Sequence, residues 1–162
     1  MGGCLPHQIK ETRLIEFKHS TVEHCYELAP NMRETDVKEV LASNGLDPLS
    51  ALIASIQNSR KPETIYANGK MVGMRGVGHA GTVGYPWLLG TPEMVSFAKS
   101  LHATAKPWVD NYLLEYPLLY NYVSEDNRAA ILWLKRLGFV MIRYVPDYGI
   151  MKKPFYEFVR IK

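Results

Sequence analysis

Hydrophobic and polar positions change period along this chain, and the changes mark its elements. Residues 12–17 alternate apolar and polar, which predicts a first strand with Leu14 and Phe17 turned inward. The spacing over 21–28 and 33–43 predicts two short helices broken at Pro30, the second stopped by Asn44-Gly45. Pro48 opens a third helix, in which Leu49, Leu52, Ile53 and Ile56 recur on one face. After Pro62 the period becomes two. Residues 64–67, the pair Asn68-Gly69 and residues 70–77 read as a hairpin, because Asn-Gly supplies both positive-φ positions of a tight turn. His79, Ala80 and Gly81 mark a second turn, and 82–89 a third strand. Pro86 lies inside that strand, where a missing N–H predicts a bulge or an edge position.

The helical period then returns. Thr91-Pro92-Glu93 has a hydroxyl cap, a first-turn proline and an acid near the positive dipole, so it predicts a helix running towards Leu114. Phe97, Leu101, Trp108 and Tyr112 fall inward, with a kink expected at Pro107. Pro117 ends that element, and 118–123 is a short apolar strand. The stretch 127–139 is the most informative in the chain. Ala130, Ile131, Leu134 and Leu137 share one helical face, with Arg128, Lys135 and Arg136 opposite. Ser124 or Asp126 is the expected cap, and Gly138 the left-handed stop. Residues 139–145 and 155–161 close the chain as strands around a 146–154 loop. Residues 1–11 read as an arm on a single domain spanning 1–162.

Composition narrows the function classes. At 162 residues, 47% hydrophobic and 22% charged, the chain has the make-up of a globular domain large enough to bury a core. A net charge of +3 without a clustered basic stripe gives no reason to expect nucleic acid as a partner. No apolar run approaches membrane-spanning length and no signal-peptide core precedes the first strand, so no membrane and a cytoplasmic location are expected. The opening Met-Gly-Gly-Cys is followed by Pro6 where an acylation signal needs Ser or Thr. Cys4 and Cys25 make no disulfide framework, and His19, His24 and Cys25 lack metal-ligand spacing, so no metal is expected.

Asn127, Ala130 and Gly138-Phe139, set after this order of strands and helices, resemble the late motif of the GNAT N-acetyltransferase superfamily. The resemblance spans nearly the whole chain. It implies an α/β (α+β) fold with a mixed, largely antiparallel sheet flanked by helices, acetyl-coenzyme A as cofactor, and a small-molecule or protein amine as acceptor. It further implies that the coenzyme lies between two splayed strands, here 82–89 and 118–123. Leu88, Leu89, Gly90 and Thr91, together with Asn127 and Trp133, are then the expected cofactor-binding residues.

Some of the chemistry such an enzyme needs is missing from its usual places. A pyrophosphate wants backbone N–H donors from a glycine-rich, basic loop at a helix start. The chain has Gly90-Thr91-Pro92-Glu93-Met94 there, with one glycine and a carboxylate. The family's general-acid tyrosine, seven residues after the motif Asn, corresponds to Leu134, and Trp133 is too weak an acid to replace it. No carboxylate occurs in 82–89 to act as base. His79 remains as the titratable candidate for catalysis. Tyr112, Tyr116, Tyr120 and Tyr122 cluster with Trp108, either as core or as lining of the cleft. More narrowly, Trp87 to Thr91, Tyr116 to Val123 and Asn127 to Gly138 resemble acetyltransferase-like or internal virion proteins of short-tailed bacteriophages. That resemblance implies an alternative, a non-catalytic protein in virion or host cytoplasm whose partner is a phage or host protein.

Overall fold

The computed structural model describes residues 14–162; the arm over 1–11, Cys4 and the first two residues of the expected opening strand lie outside them. Seven strands form one sheet in the order β1-β2-β3-β4-β5-β7-β6, with β1 Ile15–His19, β2 Glu63–Ala67, β3 Lys70–Ala80, β4 Val83–Gly90, β5 Leu118–Ser124, β6 Val140–Tyr148 and β7 Lys153–Ile161. Neighbours pair antiparallel except β4 and β5, which pair parallel. The α/β fold with a mixed, largely antiparallel sheet is therefore as expected. Among the described residues no helix is long and apolar enough to cross a membrane, and no cluster of His, Cys, Asp and Glu is arranged to hold a metal.

Helices α1 Val22–Leu28, α2 Glu34–Asn44 and α3 Pro48–Gln57 cover one face. Their apolar stripes meet the sheet through Cys25, Leu28, Leu52, Met74 and Leu89. On the other face, α4 Ala98–Glu115 and α5 Arg128–Arg136 enclose Val77, Val109, Leu119, Leu134 and Phe158. Each buried aliphatic or aromatic side chain contributes roughly 1.5–3 kcal/mol to holding these layers together.

Several local expectations are corrected. Leu14 precedes β1 and is exposed, while Ile15 and Phe17 turn inward. His79 belongs to β3, and the tight turn sits at Gly81 with φ of +60°. Thr91 makes no side-chain cap; a short 3-10 helix over Pro92–Phe97 intervenes before α4. Pro107 lies within α4, which runs unbroken to Glu115. Asn127, rather than Ser124 or Asp126, caps α5, its Oδ1 accepting from the Ala130 N–H at 3.3 Å. The 146–154 loop shrinks to a turn because β6 and β7 extend to Tyr148 and Lys153.

Pro86 gives the correction that matters for function. The β3–β4 register passes through the Val77–Pro86 pair without a shift, so there is no bulge. The missing N–H instead faces β5, and β4–β5 pairing stops after Val83–Leu118 and Gly84–Leu119. Beyond that point the two strands diverge.

Candidate functional site

In an antiparallel ladder, alternate residues turn their peptide groups away from the partner strand. Along the open edge of β4 these are Pro86, Leu88 and Gly90. The Pro86 carbonyl accepts from the Asn121 side-chain amide at 2.9 Å, a side chain reaching across where backbone pairing ends. The Gly90 N–H donates to Asp36 Oδ2 at 3.0 Å, and its carbonyl accepts from the Arg33 N–H at 2.8 Å. Leu88, between them, is reached by neither set of bonds, and its peptide groups face the gap.

The gap is a cleft of about 270 Å³. Leu88, Leu89, Asn127, Trp133 and Leu134 line it from the sheet and α5, Met94 and Val95 from the 3-10 helix, Ala98 from the start of α4, and Arg33, Glu39 and Val40 from α2 and its N-cap. Among the described residues, Glu39 is the single carboxylate lining it. Its Oε2 accepts from the Ser124 N–H at 3.0 Å and from Asn127 Nδ2 at 3.1 Å. Burial pushes the Glu39 carboxyl up to about 7; the Asn127 and Ser124 hydrogen bonds and Arg33 oppose the rise, and Asp36 adds to it. A carboxylate poised near neutrality, facing a partly apolar cleft, has the properties of a general base.

The residues present fit one part of an acyl-coenzyme A and not another. The open edge at Leu88 and the apolar walls suit a pantetheine amide and a thioester. The diphosphate meets a poor loop, because the Gly90 N–H is held by Asp36, the Thr91 N–H by the Val72 carbonyl at 2.9 Å, and Pro92 has none. Glu93 is ion-paired to Lys70 at 3.0 Å, which helps hold its carboxyl down at about 2.

Of the residues singled out from sequence, Leu88, Leu89, Asn127 and Trp133 are brought together in the cleft. Gly90 sits at its edge, tied to α2. Thr91 faces a separate depression with Pro92, Glu93 and Lys70. His79 is not near them: it pairs with Gly84 at the closed end of the strands and stacks on Tyr116 at 6.0 Å. Tyr112 and Tyr116 are core, whereas Tyr120 and Tyr122 are half-buried. Glu39 carries no sequence signal, since α2 reads as a polar, solvated helix and Asn127 is 88 residues away.

No protein-family model matches the sequence, and no curated protein matches it. Solved structures do match the fold. Ard1 from Thermoplasma volcanium superposes with a TM-score of 0.68 at 16% identity, covering 91% of this chain and 97% of that one. The fold is the GNAT fold. A Bacillus subtilis acetyltransferase in complex with CoA shares it with a TM-score of 0.64 at 9% identity, over 93% of this chain and 99% of that one. A Vibrio cholerae spermidine N-acetyltransferase in complex with CoA and spermine gives 0.64 at 13% identity, over 91% and 95%. At such identities the GNAT likeness describes architecture; the chemistry rests on this chain's own cleft.

Proposed function

We propose that this protein transfers an acyl group from a pantetheine thioester, such as acetyl-coenzyme A, to an amine, with Glu39 as general base. The observation that carries this reading is Glu39 itself, a carboxylate held near neutrality in the cleft that also exposes the Leu88 peptide. When bound, the thioester supplies an activated carbonyl carbon and a thiol leaving group. The Leu88 edge positions the arm by strand-like hydrogen bonds, and Trp133 and Leu134 keep its surroundings dry. Glu39 removes the proton from the incoming ammonium, freeing the nitrogen lone pair to attack. With leucine at 134, no side chain on that face of α5 returns a proton to the departing sulfur, so the nitrogen and solvent must supply it.

The test is a thermal-shift titration with acetyl-coenzyme A, followed by an acyl-transfer assay on Glu39→Gln. A ligand at ~100 times its Kd adds roughly 2.7 kcal/mol of stability. The absence of any shift at millimolar donor would sink the reading.

A second reading is favoured by Leu134 and by the loop amides already engaged by Asp36 and Val72. In it, the scaffold serves binding without catalysis, in line with the narrower resemblance to phage-encoded proteins. No thermal shift with acetyl-coenzyme A and no turnover in the wild-type chain are its expected results, and a clear shift abolished by Gly90→Glu would overturn it.

A further inference from the structure

Leu119 and Val123 point into the α4–α5 core, so the alternation of β5 turns Tyr120 and Tyr122 to the opposite face, the one bearing α1 to α3. There they join a continuous aromatic wall. Tyr85 on β4 meets Tyr120 at 6.1 Å, Tyr120 meets Tyr122 at 5.2 Å, and Tyr122 stacks on Tyr148 of β6 at 4.3 Å. Tyr85 is 40% exposed, so the wall is open to a ligand. Geometry sets this wall next to Glu39: Glu39 Oε2 accepts from the N–H of Ser124, two residues beyond Tyr122 on the same face of β5, and Trp87, two residues beyond Tyr85 on β4, lines the Glu39 cleft.

Two acids beside this region are held in ion pairs, and one acid lines the cleft. Glu157, beneath Tyr122, is buried and bonded to Arg143 Nε at 2.5 Å. Asp36 is paired with Arg33 at 2.6 Å. Among the described residues, Glu39 is the one acid that lines the cleft, and it has no ion-pair partner there. One carboxylate beside an aromatic wall matches a ligand with one ammonium and one flat apolar body, since ring faces attract both. A polyamine would bring several charges to a site offering a single unpaired acid.

Resting on the acyl-transfer reading, we propose that the acceptor is an aryl-bearing monoamine, its ring against Tyr85, Tyr120, Tyr122 and Tyr148 and its nitrogen directed to Glu39. The test compares 2-phenylethylamine, n-butylamine and spermine, each measured by equilibrium binding and by acyl transfer from acetyl-coenzyme A. Phenylethylamine is expected to exceed butylamine by about tenfold in both measurements, and to exceed spermine. Tyr85→Ala should bring the phenylethylamine-to-butylamine ratio towards one, and Tyr85→Phe should restore it. A tripeptide with an N-terminal phenylalanine, run in parallel, distinguishes a free amine from a peptide end. A preference for spermine, or a ratio that survives Tyr85→Ala, would overturn the proposal. Transfer failing for every amine while the binding preference holds would instead remove the acyl-transfer reading and leave the aromatic subsite standing.

Discussion

The Asp36 carboxylate accepts from the Gly90 N–H at 3.0 Å while holding both Arg33 Nε and Nη2. One buried side chain thus joins the start of α2 to the end of β4 and fixes the wall from which Glu39 projects. Removing it leaves a mostly buried guanidinium without its counter-charge. Asp36→Ala is expected to destabilise the fold by about 3 kcal/mol, and Asp36→Asn, which keeps an acceptor, by less. Urea denaturation midpoints at constant m-value measure both.

Glu39 predicts a pH dependence of rate. Its carboxyl holds a proton up to about 7, so kcat/KM should rise with pH through that region and then level. Glu39→Gln should lower kcat/KM by about 10²–10⁴-fold, the usual contribution of a positioned base. An unaltered pH profile in the variant would remove Glu39 from the mechanism.

The same group predicts a pH dependence of stability of opposite usefulness. Unfolded, the carboxyl ionises near its ordinary value of 4.5; folded, it does so near 7. Between those values the native state binds more protons, so stability falls as pH rises through the window and stays low above it. The loss attributable to Glu39 is up to about 3 kcal/mol. Glu39→Gln should flatten that slope in denaturation curves taken from pH 4 to 8.

Much of the architecture could be read from residue order because its signals are local. Asn68-Gly69 turns with φ of 50° and 80°, and Gly138 stops α5 at φ of 86°, as their side chains dictate. The apolar stripes of α3 and α5 announce their buried faces. The site was only half legible. Leu88, Leu89, Asn127 and Trp133 lie where a motif and a strand end point. Glu39 gains meaning only from Ser124 and Asn127, which tertiary folding brings to it. Pro86 was half legible for a related reason: sequence locates the lost donor and allows either a bulge or an edge position, but only strand order shows that the donor faces β5 and that the edge is the outcome.

Gly90 packs too closely to accept a side chain. A Cβ there would lie 2.6 Å from the Met94 Cε and 2.8 Å from the Val72 carbonyl oxygen. The methionine end can move, but the backbone oxygen cannot without disturbing β3. Gly90→Ala is expected to cost about 1–3 kcal/mol, read as a lowered Tm, and to weaken donor binding by shifting the start of α4.

Pro86→Ala restores an N–H facing β5. The ladder can then continue past Gly84–Leu119, so the expected result is unchanged or slightly higher stability, within about 1 kcal/mol, with weaker acetyl-coenzyme A binding by calorimetry. Tighter binding would contradict the role assigned to the proline.

An imino acid at the fork also bears on how the protein behaves before any ligand arrives. Two diverging strands with complementary free edges would tend to zip together, and a donor would then have to force them apart. Pro86 cannot take part in that zipper, and Asn121 occupies its carbonyl from the other side. The opening is built into the resting backbone, so little of the donor's interaction free energy is consumed in making room for it. Hydrogen exchange of the Leu88 amide should accordingly be fast in the free protein and slow once the donor lies alongside.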